Sequence, residues 1–208
     1  MAFIHTIAVE ESVGDVRAMY ERTQGALGYV PNYAKAFSLR PDVMDGWSGL
    51  LASVRRPLDP RRYELITLAA ARALRNSYCM LAHGSILARQ FYSPAQLAAI
   101  AGNPATAELA PAEVAMMAFA EKVVRDASAI TAADVQALRD HGFTDAEVFD
   151  IAATAAARCF FSKLVDAVGA EPDTAFESLD DDLKRCLTPG RAISQTAAES
   201  LPEAPARS

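Results

Sequence analysis

The stretch Asp59-Pro60-Arg61-Arg62-Tyr63-Glu64-Leu65-Ile66-Thr67-Leu68-Ala69-Ala70-Ala71-Arg72-Ala73-Leu74-Arg75-Asn76-Ser77-Tyr78-Cys79-Met80-Leu81-Ala82-His83-Gly84 decides the fold class. Asp59 can accept from the free amides of a first helical turn, and Pro60 falls at the first helical position, where its missing N–H is harmless. Leu65, Leu68, Ala69, Arg72 and Ala73 follow helical spacing up to Arg75-Asn76-Ser77. There an Asn-Ser pair interrupts one helix and can cap the next. Helical character resumes through Leu81, Ile86 and Leu87 and stops near Phe91. The stretch predicts two helices joined at an elbow.

The same devices recur in both directions. Towards the N-terminus, Ser12 can cap a helix to about Thr23, with Asp15 completing a shortened capping box, and Gly25 and Gly28 break it. Tyr29-Val30-Pro31-Asn32 reads as a turn whose Asn caps a short helix, and Pro41 opens a segment through Trp47, Leu50, Leu51 and Val54. Towards the C-terminus, Ser93-Pro94 repeats the cap and proline. Pro111 opens a helix striped by Val114, Met117, Ala118, Ala120, Val123 and Val124. Thr131 and Thr144 cap two more, and the last, through Val148, Ile151, Ala152, Ala155, Cys159 and Leu164, ends at Gly169. No segment shows sustained period-two alternation. The expectation is one all-α domain over residues 1–170. Residues 171–208 shift in composition, with Asp180-Asp181-Asp182, Pro189-Gly190 and a Pro/Ala/Ser-rich end. They read as a C-terminal extension with one short helix over Thr174–Cys186, otherwise flexible or packed on a neighbouring subunit.

Of the 208 residues, 51% are apolar and 22% charged, which supports a packed core and excludes wholesale disorder. Twenty basic residues against 26 acidic give a formal charge of -6 and argue against non-specific nucleic-acid binding. No run of about 18 apolar residues predicts a membrane span. The N-terminus lacks the basic-then-apolar pattern of a secretory signal. Three widely spaced Cys make no disulfide scaffold, so a reducing, cytoplasmic location is expected.

Glu64, Cys79 and His83 carry the candidate chemistry. Cys79 and His83 are four apart on one predicted helix and share a face. An imidazole beside a thiol can take its proton or stabilise the reactive thiolate. If the chain folds back at Arg75-Asn76-Ser77, Glu64 can orient His83 or relay a proton through water. The competing reading of the residues is an inert core pair, since buried Cys commonly serves as a small hydrophobe. Zinc would accept sulfur, nitrogen and oxygen from Cys79, His83 and Glu64, but a second pair of ligands is missing, so no metal and no cofactor is expected. His5 and His141 read as solvated or structural. Arg72 and Arg75 are candidate positive charges for Cys79, although solvated arginines are commoner.

The run Glu64…Asn76-Ser77-Tyr78-Cys79-Met80-Leu81-Ala82-His83-Gly84 resembles the signature of the AhpD-like, or carboxymuconolactone decarboxylase, superfamily. It is most similar to the alkylhydroperoxidase-type, peroxidase-related branch, whose pattern is a Glu, eleven residues, then Cys-x-x-Cys-x-x-x-His. Gly28-Tyr29-Val30-Pro31-Asn32, Arg40-Pro41 and Phe160-Phe161-Ser162-Lys163-Leu164-Val165-Asp166-Ala167 extend the resemblance over about residues 1–173. The resemblance implies an all-α AhpD-like helical bundle assembled as a trimer or hexamer. It implies a thiol-dependent peroxidase that reduces hydroperoxides, with Cys79 as attacking thiol and Glu64 and His83 as proton relay. Asn76 stands at the position of the resolving Cys and cannot form a disulfide. Recycling then calls for an external thiol reductant, for Cys159 if the last helix packs against the site, or for Cys186 if the tail reaches it. Asn76 is expected to cap its helix rather than to bond the thiolate, and Tyr78 to pack rather than to act as an acid. Two alternatives stand beside this. One is a cofactor-free, decarboxylase-like lyase or isomerase acting on a small organic acid. The other is a non-catalytic oligomeric member in which Met116, Met117 and Phe160-Phe161 fill core or subunit contacts.

Overall fold

A computed structural model describes residues 2–202, and among them every regular element is helical. In chain order these are α1 (Gly14–Leu27), α2 (Asn32–Ala36), α3 (Pro41–Arg55), α4 (Pro60–Leu74), α5 (Ser77–Gln90), α6 (Pro94–Gly102), α7 (Pro111–Asp126), α8 (Ala132–Asp140), α9 (Asp145–Ala167) and α10 (Asp181–Leu187). α4 is buried without a break from Tyr63 to Ala71, which makes it the central helix, with α5, α7 and α9 packed around it. Met116 and Met117 of α7 belong to this core. No helix among the described residues is long and apolar enough to cross a membrane.

The predicted starts hold where the cap is local. The Asp59 carboxylate accepts from the Arg62 amide at 3.0 Å, Ser93 forms a capping box with Gln96, and Thr144 does so with Glu147. Two expectations are corrected. Ser12 does not cap α1: its hydroxyl donates back to the Val9 carbonyl at 2.7 Å, and the helix begins at Gly14 and runs through Gly25 to a left-handed Gly28. Asn32 does not cap α2 either. The start of α2 is held by Asp173, whose carboxylate accepts from the Asn32 amide at 2.7 Å.

The elbow lies where it was expected. Arg75 adopts φ 55, the left-handed region, and Asn76 caps α5. A strap from the C-terminal segment locks this turn. Arg75 Nη2 donates to the Pro189 carbonyl at 2.8 Å, and the Gly190 amide donates to Ser77 Oγ at 2.9 Å. Gly190 lies so close that a Cβ there would stand 2.2 Å from the Arg75 carbonyl oxygen.

Residues 171–202 lie along their own chain. Instead of one helix over Thr174–Cys186 there is a short 3₁₀ turn at Thr174–Ser178 and then α10, because the Asp180 carboxylate starts a new helix by accepting from the Asp182 and Leu183 amides. α10 packs on α5 and α6, Glu199 pairs with Val30 in an isolated antiparallel bridge, and Leu201 joins the core. The last part of the expected extension, residues 203–208, lies outside the described residues.

Candidate active site

The elbow turns α5 back across α4, and this brings Glu64 to His83. Glu64 Oε2 lies 2.5 Å from His83 Nδ1, with the carboxylate buried. With the carboxylate accepting, Nδ1 carries the ring proton and Nε2 keeps its lone pair. Burial is the main influence holding His83 below its ordinary pKa, with the charge of Arg158 adding to it and Glu64 opposing it. The resting imidazole is therefore neutral and able to take a proton.

Cys79 stands in the first turn of α5, where the free amides and the helix dipole favour an anion. Its thiol is nonetheless buried, and burial pushes its pKa above the ordinary value. The positive charge of Arg158 and a hydrogen bond from Ser162 work against that rise, with Ser162 Oγ lying 3.2 Å from Cys79 Sγ. Of the two roles open to a neighbouring imidazole, holding a standing thiolate is therefore not the resting one. The resting sulfur is a thiol.

Asn76 caps as expected. Its Oδ1 accepts from the Cys79 amide at 2.8 Å, while its Nδ2 donates to the Ser162 carbonyl at 3.3 Å, tying the elbow to α9. Tyr78 is structural: its hydroxyl donates to Asp173 at 2.5 Å and accepts from the Tyr33 amide at 3.1 Å. Burial, with Asp173 beside it, raises the Tyr78 pKa well above the ordinary phenol value, so the proton stays in place. The other cysteines stand apart. Cys159 is half-buried and Cys186 exposed, both are free thiols, and Cys159 belongs to neither cavity described below. Arg72 is occupied in an ion pair with buried Glu121, and Arg75 holds the strap. His5 and His141 are exposed.

Two cavities meet at His83 and Arg158. The first, about 200 Å³, exposes Cys79, His83 and Arg158 to a wall made by Tyr33, Trp47 and Phe161. Trp47 stacks on Phe161 with centroids 4.4 Å apart, and Tyr33 meets Phe161 edge-on at 5.5 Å. The second, about 310 Å³, reaches the Glu64 side of the dyad past Ser48 and Arg55. Among the described residues no group of three or more His, Cys, Asp and Glu is placed to hold a metal ion.

Arg158 and Ser162 are the residues that sequence reasoning missed. They lie four apart on α9, in the stripe Ile151, Ala155, Arg158, Ser162, Val165, all buried. Two polar side chains at core positions of an otherwise apolar stripe were the available signal.

An all-helical fold in which a helical elbow unites a buried thiol with a carboxylate–imidazole pair defines the class. The sequence model of the carboxymuconolactone decarboxylase family matches residues 41–122, which include all three groups, and this supports a likeness to the AhpD-like, or carboxymuconolactone decarboxylase, superfamily. Among solved structures, it is similar to the alkylhydroperoxidase AhpD core of a peroxidase-related protein from Ralstonia eutropha JMP134. The two share 29% identity over 84% of this chain and 94% of that one, with a TM-score of 0.76. A peroxidase-related protein from Silicibacter sp. TM1040 shares the fold at 22% identity, over 85% of this chain and 91% of that one, with a TM-score of 0.71. So does the debrominase Bmp8, solved with 2,3,4-tribromopyrrole, at 17% identity over 87% and 96% with a TM-score of 0.70. No curated protein matches the sequence significantly.

Proposed function

We propose that the protein is a thiol-dependent peroxidase that reduces hydroperoxides through Cys79 alone. The observation that carries this reading is the 2.5 Å Glu64–His83 contact, which leaves a neutral imidazole lining the same cavity as the Cys79 thiol. When a hydroperoxide enters, the Cys79 proton passes to His83 Nε2, directly or through the peroxide. Arg158 and the Ser162 hydroxyl stabilise the thiolate so formed, and Glu64 balances the charge on the imidazolium. The sulfur attacks one peroxide oxygen, an S–O bond forms as the O–O bond breaks, and the departing alkoxide recovers the proton as an alcohol. Cys79 is oxidised to a sulfenic acid. Two equivalents of an external thiol then return it to the thiol, releasing water and a disulfide of the reductant. Asn76 at the resolving position, with Cys159 outside the cavity, supports an external reductant.

The test is mass spectrometry of Cys79, Cys159 and Cys186 after brief, substoichiometric hydroperoxide. Oxidation at Cys79, lost in His83→Ala and slowed about a hundredfold in Glu64→Gln, is expected. Oxidation spread evenly over the three thiols refutes the reading. The resting protonation of Cys79 favours one second reading, a decarboxylase-like lyase in which the Glu64–His83 pair moves protons on a small organic acid and the thiol only packs. Turnover of such an acid that survives Cys79→Ser and fails in His83→Ala would select it.

The working form is proposed to be a cytoplasmic homo-oligomer. Phe149 and Phe160, 71% and 45% exposed, stand eleven residues apart on one face of α9, which supports a subunit contact there. Light scattering on the purified chain reads the number of copies.

A further inference from the structure

The mechanism above uses Arg158 only as a charge for the thiolate, yet its surroundings are those of a binding group. The residue is 4% exposed. Nη2 donates to the Tyr63 hydroxyl at 2.5 Å, while Nε has no hydrogen-bond partner at all. No carboxylate among the described residues pairs with it, since Glu64, the acid of this site, is engaged by His83. Its guanidinium lies over two rings, 5.6 Å from the Trp47 centroid and 5.5 Å from that of Tyr63. A buried cation without a direct ion-pair partner is expensive to keep, and a donor left unmade adds to that. An anion that enters the cavity Arg158 lines would supply the missing charge.

We propose that the Cys79 cavity takes an organic anion, its charged group held by Arg158 and its apolar body lying against Trp47, Tyr33 and Phe161. The cavity is about 200 Å³ and its walls are aromatic, so the body is a single ring or a short alkyl chain. A carboxylate suits the planar guanidinium fork. Resting on the reading of this cavity as the substrate site, the inference narrows the substrate class to small hydroperoxides that carry a carboxylate.

Trp47 is the sole tryptophan of the chain and lines the cavity, so its fluorescence reports occupancy without turnover. Sodium benzoate and benzamide, titrated at constant ionic strength, form a matched pair differing in charge. Benzoate is expected to bind about tenfold more tightly to the wild type, the order expected for one charge-assisted hydrogen bond. Arg158→Lys should keep the preference and Arg158→Gln should abolish it. Equal affinity of the wild type for the two probes overturns the proposal even if Arg158→Gln fails to fold, and so does a preference that persists in a folded Arg158→Gln. In parallel, cumene hydroperoxide and its para-carboxylated analogue are compared for oxidation of Cys79. Oxidation by both at equal rates, with no benzoate preference, overturns the anion site and leaves the peroxidase reading intact. A benzoate preference without any oxidation supports the site and removes the peroxidase.

Discussion

Asn76→Ala tests whether the residue at the resolving position is a structural cap. The substitution removes the acceptor for the Cys79 amide at 2.8 Å and the donor to the Ser162 carbonyl at 3.3 Å. Loss of an N-cap costs about 1 kcal/mol. Asn76 is fully buried, so water does not replace the lost partner, and an unsatisfied buried N–H adds about 1–3 kcal/mol. The expected loss is about 2–4 kcal/mol, which at this chain length lowers the melting temperature by roughly 5–15 °C. Asn76→Ser keeps a capping oxygen and loses only the reach to α9, so it should recover about half of the deficit. Asn76→Cys should suffer nearly as much as Asn76→Ala, because sulfur is a weak acceptor. Urea denaturation with an unchanged m-value gives the comparison. An Asn76→Ala protein within about 0.5 kcal/mol of the wild type, or an Asn76→Ser no better than it, would refute the reasoning.

Three further outcomes are expected. Ser162→Ala removes the hydroxyl that donates to Cys79 Sγ, so the thiol pKa rises further and alkylation by iodoacetamide at neutral pH slows by roughly threefold to tenfold, read as an upward shift of the pH–rate midpoint. Stability should fall at both pH extremes. His83 has a lowered pKa in the fold, so its contribution is complete above the ordinary value of 6.5 and is lost as pH falls through the lower folded value. Cys79 has a raised one, so its contribution is complete below 9.0 and is lost as pH rises through the higher folded value. Melting temperatures across pH should show the acid arm flattened in His83→Asn and the alkaline arm flattened in Cys79→Ser. Gly190→Ala drives a Cβ into the Arg75 carbonyl and should lift the strap from the elbow, at about 1–3 kcal/mol, with faster amide exchange over residues 187–191 as the local sign.

The sequence made local capping legible and distant capping invisible. Asp59, Ser93 and Thr144 act within three residues of themselves, so their roles are readable in a short window. Ser12 has the same chemistry but spends its hydroxyl on Val9, a choice set by the turn before it. Asn32 is displaced by Asp173, a partner 141 positions away that no window contains. The elbow was legible for a similar reason: Arg75-Asn76-Ser77 carries both the break and the new cap. Once it bends, the meeting of Glu64 with His83 follows from two short helices folding back on each other.

The α9 contribution was not legible, and the reason is angular. Successive helical residues are turned by about 100°, so attention to Cys159 as the sulfur-bearing residue looks past its neighbour, Arg158, which alone of the two lines the Cys79 cavity. The chemistry of Cys79 is decided by that difference. A second thiol there would offer a resolving partner, whereas the fold supplies a cation and, one turn on, a hydroxyl donor. Burial raises the sulfur's pKa, and the cation and hydroxyl counter it without cancelling it. The result is a thiol that stays protonated at rest and whose anion has a place prepared for it. In the proposed peroxidase such a sulfur would be protected from indiscriminate oxidation and would ionise when something in the cavity helps the proton to leave. An anionic substrate on Arg158 would weaken the same cation's hold on the thiolate, so the proton must be drawn to His83 more than pushed off by Arg158. It follows that Glu64, which balances the imidazolium, should matter most for substrates that bear a charge: Glu64→Gln should slow Cys79 oxidation by the carboxylated hydroperoxide more than by its neutral parent, and an equal loss for both would contradict this division of labour.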